Sequence, residues 1–340
     1  MNRSLEEVLN NEWCGGNNRP LSQEEEVELN NNRGKQTIKY IDYCKKQQFK
    51  LSSPAPIKAK VISLDGSPRR KAFEQNASRA GLEFEYFNAV NGFAENLDVF
   101  GLDVWGLESM PKHWEISKGH MACTLSHLSL YKEWYDSHNT DEWYLVLEDD
   151  CYFHPYFSDA LDKVIQAANS SHLDIDVISL SNRASHWLSM NDAYASTASA
   201  PDFVSLDQLS EEISSARKTG YAEGYSPKQT RVFGTESILF NARALEKLKR
   251  LEAHYGGKLL GEYLGNGPFG IEAILQHHLG RSPSQSAFNT PQALIDDGWV
   301  AEGRPYLNSF ILTLPLTTTR DWLGERYFSE TRRKKINQKR

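Results

Sequence analysis

The 340-residue sequence is poor in cysteine and has no excess of positive charge. Its four cysteines form no CxxC pair, so a disulfide framework is excluded and a structural zinc site is not expected. Lys and Arg total 38 against 45 Asp and Glu, which gives a net charge of −7. A general nucleic-acid binder needs a basic surface, so we expect no nucleic-acid partner.

Long hydrophobic runs are also missing. No stretch of 18 apolar residues occurs, so no membrane-spanning helix is expected. The opening segment, MNRSLEEVLNNEW, lacks the apolar core of a secretory signal, and we expect a cytoplasmic protein. With 39% hydrophobic and 24% charged residues, the composition is typical of a globular chain.

Composition divides the chain into three parts. Eight of the first 32 residues are Asn, which favours turns, so residues 1–55 are predicted to form an appendage that docks on the main domain or on a partner. Residues 56–325 are predicted to form the main domain, in which polar residues 183–230 form a lid or substrate-binding loop. Residues 326–340 are a basic tail. The six Lys and Arg of 331–340 either solubilise the chain end or attract it to an anionic membrane surface.

Strand-like and helix-like segments alternate through the main domain. Apolar runs predict strands at 58–64, 84–89, 143–147, 175–180 and 231–240. Amphipathic runs predict helices at 119–138, 157–168 and 242–253, and Ser67 with Pro68 predicts the start of another that ends at Gly81. This order predicts an α/β domain with a Rossmann-like, mainly parallel sheet and helices on both faces. Ligand sites are then expected at the carboxyl ends of the strands.

Three consecutive acids, Glu148, Asp149 and Asp150, follow the strand predicted at 143–147. Their mutual repulsion at the end of a buried strand favours a neutralising cation. Hard carboxylate oxygens suit Mg²⁺ or Mn²⁺. A solvated turn whose acids cap the next helix is the alternative.

The first predicted strand runs into a turn that contains Arg69 and Arg70. Backbone amides at a helix N-terminus and nearby guanidinium groups suit a phosphate. The turn is neither a GxGxxG motif nor a P-loop, which disfavours dinucleotide oxidoreductases and P-loop kinases. The alternative is that both arginines are simply solvated.

Cys123 and His127 lie four residues apart, on one face of the helix predicted at 119–138. We expect Cys123 to pack in the core and His127 to bind a backbone carbonyl. A catalytic Cys–His pair is disfavoured, because an apolar face offers nothing to lower the thiol pKa.

Together these segments resemble glycosyltransferase family 25, which includes lipooligosaccharide galactosyltransferases and collagen galactosyltransferases. The similarity extends over about residues 58 to 295. The segments that carry it are VISLDGSPRR (61–70), FEYFNAVNG (84–92), GHMACTLSH (119–127), LVLEDD (145–150) and 234–248. One late segment departs from the family pattern, because Glu272 stands where members usually have Asp.

The resemblance implies a GT-A fold, a nucleotide-sugar donor with UDP-galactose as the first expectation, Mn²⁺ or Mg²⁺, and a saccharide or glycolipid acceptor. It implies that Asp150 holds the metal with Glu148 as helper, and that Arg69 or Arg70 contacts the phosphates. Ser126 is a further candidate to donate a hydrogen bond to the nucleotide. The residues expected to contact the nucleoside are Ile62, Ser63, Leu64 and Asp65.

The family inverts configuration, so a base must take the proton of the acceptor hydroxyl. Glu272 is the first candidate, Asp149 the second and His127 the third. Two other functions stay open at this point: a sugar-1-phosphate nucleotidyltransferase, and an inactive glycan-binding scaffold with the same fold.

Overall fold

A computed structural model describes residues 39–92, 98–99, 102–103, 118–135, 143–181, 203–205, 235–254, 292–300 and 306–319. Several predictions fall on other parts of the chain. The candidate base Glu272, most of the predicted lid and the basic tail lie outside the described residues.

Within the described residues, seven strands form the central sheet, in the order β2-β1-β5-β9-β7-β10-β8. Their bounds are β1 Ala59–Ser63, β2 Phe84–Asn88, β5 Trp143–Glu148, β7 Val177–Ser179, β8 Phe203–Ser205, β9 Ser237–Asn241 and β10 Ser309–Leu312. The short strands outside it are β3 Asp98–Val99, β4 Leu102–Asp103, β6 Cys151–Phe153 and β11 Thr317–Thr319. β1 is parallel to β2 and β5, and β7 is parallel to β10. Only β9 and β8 run against these five strands, which confirms the mainly parallel sheet.

Helices cover both faces of this sheet, as the sequence predicts. Their bounds are α1 39–46, α2 Arg70–Arg79, α3 Lys118–Tyr135, α4 Phe157–Ser170, α5 Ala242–His254 and α6 Gln292–Asp296. On one face, Phe73 of α2 and Leu161 of α4 share a core with Val61 and Leu145. On the other face, the ring of Tyr131 in α3 lies 4.7 Å from that of Phe240 in β9. In the described part of the chain, no helix is long and apolar enough to cross a membrane.

The segment 39–55 packs against the main domain, with several of its side chains in the core. Tyr40 and Cys44 of α1 are fully buried in the cluster that α2 and α4 share. The Tyr40 hydroxyl donates to the Pro155 carbonyl at 2.7 Å, and the Ala55 N–H donates to the Gly81 carbonyl at 2.8 Å. Burial raises the pKa of the Cys44 thiol to about 11, so this cysteine stays protonated and unreactive at neutral pH.

The contact between Gly81 and the chain at Ser53 provides a stability test. Gly81 has φ +68°, and a Cβ there would overlap the Ser53 carbonyl oxygen. Gly298 has φ +74° with nothing within 4 Å of such a Cβ, so Gly298→Ala adds backbone strain alone. In urea unfolding we expect Gly298→Ala to cost about 1 kcal/mol and Gly81→Ala roughly 3 kcal/mol. Equal losses would contradict close packing of residues 53–55 against the end of α2.

Candidate functional site

The site forms where β1 and β5 end. These strands are parallel neighbours, with Ile62 opposite Glu148, so their carboxyl ends meet at one edge of the sheet. This brings the turn after Ser63 next to Asp149 and Asp150. The two segments that the sequence singles out separately therefore form one site.

Asp149 is the buried centre of this site, with 2% of its side chain exposed. Its Oδ2 accepts hydrogen bonds from the hydroxyls of Ser63 at 2.8 Å and Ser67 at 2.7 Å. Its Oδ1 lies 2.8 Å from an Arg69 guanidinium nitrogen. These contacts compensate the buried charge and hold the Arg69 side chain in place.

Ser67 is the residue here that sequence reasoning misassigned. The expected helix start at Ser67 and Pro68 is wrong: α2 begins at Arg70, with Arg69 as its N-cap residue and no side-chain cap. The Ser67 hydroxyl accepts the Arg69 N–H at 3.4 Å and donates to Asp149, a residue 82 positions away, at 2.7 Å. Local sequence cannot reveal such a partner, because Ser is also a common N-cap residue.

Arg69 also contacts Asp150, with 3.3 Å between its second terminal nitrogen and Oδ2. Both side chains are partly accessible, at 16% and 18% exposure. Arg69 thus relieves part of the repulsion that predicts a metal ion. The alternative of a solvated, helix-capping turn is wrong, because Asp149 is buried and α4 has Tyr156 as its N-cap residue with no side-chain cap.

Arg70 is bonded to the turn after β1 and not to the three consecutive acids. Its guanidinium donates to the Ser63 hydroxyl at 3.0 Å and to the Ser63 carbonyl at 3.2 Å. It also stacks on the Tyr86 ring, 4.2 Å from the ring centre. Burial raises the pKa of Tyr86, so its hydroxyl stays protonated. Of the two predicted phosphate ligands, Arg69 is the one beside Asp150.

Glu148 has a different set of partners from Asp149. Its Oε1 lies 3.1 Å from Nε2 of His127, 2.5 Å from the Thr235 hydroxyl and 3.8 Å from Sγ of Cys123. His127 is fully buried, and its Nδ1 lies 2.9 Å from the Tyr131 hydroxyl. Successive residues of a strand face opposite sides of a sheet, so neighbouring acids can meet different partners.

Cys123, His127 and Glu148 form a group whose possible ligand atoms all lie within 4.8 Å of one another. Among the described residues it is the only group of three possible metal ligands that lie this close together. The three consecutive acids do not form such a group. The expectation that His127 binds a backbone carbonyl is wrong, because its partners are side chains of Tyr131 and Glu148. Helical spacing correctly predicts that Cys123 and His127 lie on one face of α3, but it does not predict which residues contact that face.

Ser126 of α3 is hydrogen-bonded to the backbone that follows β2. Its hydroxyl donates to the Ala122 carbonyl at 2.6 Å and accepts from the Val90 N–H at 2.8 Å. Ser126 is buried, and these two contacts give its hydroxyl a local structural role.

The remaining nucleoside-contact candidates form a gradient of exposure along the turn. Ile62 is buried in the sheet, Leu64 is half-buried, and the Asp65 side chain is 91% exposed.

Cys151, the residue after Asp150, is buried, and burial holds its thiol pKa well above the usual range. It is therefore not a nucleophile of this site.

Comparison with known proteins identifies the family. Residues 57–254, more than half of the chain, match glycosyltransferase family 25 (LPS biosynthesis protein). No curated protein matches the chain. The matched range contains the turn with Arg69, the α3 face with Cys123 and His127, and the acids at the end of β5. The chain belongs to glycosyltransferase family 25.

Proposed function

We propose that the protein is a metal-dependent, inverting hexosyltransferase that moves galactose from UDP-galactose to a saccharide acceptor, such as lipooligosaccharide or another cell-surface glycan. Family membership makes it a glycosyltransferase with a sugar donor and a saccharide acceptor. The observation that carries the finer proposal is the adjacent, partly exposed pair of Arg69 and Asp150 at the carboxyl end of β5.

In this proposal Arg69 binds the donor diphosphate. A guanidinium group can hold phosphate oxygens with two parallel hydrogen bonds, and its charge stabilises the diphosphate as it leaves. Asp149 acts as a positioning residue, because it is buried and binds Arg69 together with Ser63 and Ser67. Arg70 keeps the turn in shape through Ser63 and Tyr86.

The acids fit a hard cation such as Mn²⁺ or Mg²⁺. These ions prefer oxygen ligands and commonly bind through one or two carboxylates plus substrate phosphates. Asp150 is the accessible carboxylate for this role, and Glu148 is the proposed helper, with 24% of its side chain exposed. When bound, such a cation supplies Lewis-acid stabilisation of the UDP leaving group.

Glu272 remains our first candidate for the base that takes the acceptor proton. The bond from the anomeric carbon to UDP breaks, the acceptor oxygen bonds to that carbon from the opposite side, and its proton passes to the base carboxylate. Asp149 is less suited, because its oxygens accept bonds from Ser63, Ser67 and Arg69. His127 is fully buried between Tyr131 and Glu148, away from an acceptor in solvent.

Calorimetric titration tests the donor and the metal together. We expect UDP-galactose to bind with Mn²⁺ present and to bind at least about tenfold more weakly after the metal is chelated, because Asp150 would hold a cation whose charge stabilises the bound diphosphate. UDP-glucose and GDP-mannose, titrated in parallel, define the sugar and the nucleotide. If no UDP-sugar binds with or without Mn²⁺, the proposal fails and a glycan-binding scaffold or a different nucleotide becomes the better explanation.

A further inference from the structure

We propose that Cys123, His127 and Glu148 form a binding site for a borderline transition-metal ion such as Zn²⁺, which shares Glu148 with the donor-cation site proposed at Asp150. The three possible ligand atoms lie within 4.8 Å of one another. They come from two rigid elements, α3 and the end of β5, so the site is preorganised. This proposal goes beyond the transfer reaction and does not depend on the identity of the sugar donor.

Two of the three distances between possible ligand atoms are close to those of a tetrahedral zinc site. Zinc bonds of about 2.3 Å to sulfur and about 2.0–2.2 Å to nitrogen and oxygen place neighbouring ligand atoms roughly 3.3–3.6 Å apart. Here Nε2 of His127 lies 3.1 Å from Oε1 of Glu148, and Sγ of Cys123 lies 3.8 Å from the same oxygen. Both distances lie within a few tenths of an ångström of these values, and the third pair of atoms, Sγ of Cys123 and Nε2 of His127, lies within 4.8 Å.

The surroundings also suit a metal. The Tyr131 hydroxyl, 2.9 Å from Nδ1 of His127, can accept a hydrogen bond from Nδ1–H, which leaves Nε2 free of a proton as the ligand atom. The Thr235 hydroxyl donates to Glu148 and orients its carboxylate. Sulfur and imidazole ligands select Zn²⁺ or Co²⁺ over Mg²⁺.

Access and ligand number allow an open site. Cys123 is half-buried and Glu148 is partly exposed, so an ion can enter from solvent. Binding would release the thiol proton to solvent and leave a thiolate on the metal, so affinity is expected to rise with pH. Three protein ligands leave a fourth position for water or another small ligand.

Cobalt titration of the full-length protein tests the site without any sugar donor. We expect the intense visible absorption of tetrahedral Co²⁺ with a near-ultraviolet thiolate-to-cobalt band, and we expect Zn²⁺ to bleach both. Cys123→Ser should abolish the thiolate band, and Tyr131→Phe should weaken Co²⁺ binding about 10- to 100-fold. The matched controls Cys14→Ser and His172→Gln should keep the full signal.

A second readout covers variants that fold poorly. In the wild-type protein, Zn²⁺ should slow alkylation of Cys123, measured by peptide mass spectrometry, and Mg²⁺ at the same concentration should not. The proposal is overturned if folded wild-type protein shows no thiolate-to-cobalt band, if the band persists in Cys123→Ser, or if Zn²⁺ leaves the alkylation rate unchanged. Both readouts are made without a sugar donor, so a failure here is distinguishable from a failure of UDP-galactose to bind in the calorimetric titration.

Discussion

Replacement of Asp150 by asparagine is expected to lower kcat/KM for galactosyl transfer by at least about 10³-fold, equivalent to roughly 4 kcal/mol of transition-state stabilisation. The substitution keeps the shape of the side chain but removes the charge that would hold the donor cation. Asp150 is the partly exposed acid beside Arg69, so its charge lies next to the proposed diphosphate site. The measurement is steady-state transfer from UDP-galactose with saturating Mn²⁺.

The control for this substitution is Asp42→Asn, on the exposed side of α1, which should keep wild-type transfer. Metal-dependent donor binding, followed by calorimetry, should be lost in Asp150→Asn and retained in Asp42→Asn. Wild-type transfer by Asp150→Asn would show that Asp150 does not hold the metal. In that case Arg69 would be the remaining proposed contact to the diphosphate.

The largest expected stability effect belongs to a buried ion pair far from the site. Lys247 of α5 and Asp176, which precedes β7, are both almost completely buried and bonded to each other. The Asp176 carboxylate also accepts the Asn308 N–H at 2.8 Å. Lys247→Met leaves an uncompensated buried carboxylate, and we expect it to lower the free energy of unfolding by about 3–5 kcal/mol. Urea unfolding followed by circular dichroism measures this loss.

A double variant separates the burial of charge from the packing of the side chain. Burial raises the pKa of Asp176 even beside Lys247, which means that these surroundings favour the neutral carboxyl over the carboxylate. A neutral side chain at this position is therefore tolerated well. Lys247→Met combined with Asp176→Asn should recover most of the lost stability, because no charge stays buried and the amide oxygen can still accept the Asn308 N–H. The exposed control Lys45→Met should change stability by less than about 0.5 kcal/mol. A similarly small loss in Lys247→Met would contradict the importance of this pair.

Local sequence pattern is sufficient for the secondary structure that places the site. The strand predicted at 143–147 is observed as Trp143–Glu148, and the helix predicted at 242–253 is observed as Ala242–His254. Such segments are recognisable because burial of one or both faces imposes a period of two or 3.6 on the apolar residues. The order of these segments, with the acids and arginines at strand ends, is also what carries the resemblance to the family.

Partnerships between distant residues were not predictable in this way. Ser63 reaches Asp149 across 86 positions, and Thr235 reaches Glu148 across 87. Tyr40 and Cys44 lie in the segment predicted to dock on the main domain or on a partner, and their partners in the main core are visible only in the structure. A polar or half-apolar sequence pattern predicts that one face of an element is buried. Only the tertiary structure shows which residues of other elements contact that face.

The sequence by itself determined the fold class, the family and the edge of the sheet where the charged residues gather, because these follow from periodicity and from the order of short motifs. Only the tertiary structure decided how the three acids divide their roles. Asp149 is buried against serines and Arg69, Asp150 stays partly accessible, and Glu148 joins Cys123 and His127. The physical reason is that consecutive residues at a strand end face different layers of the protein, and each layer supplies its own charges and hydrogen-bond donors.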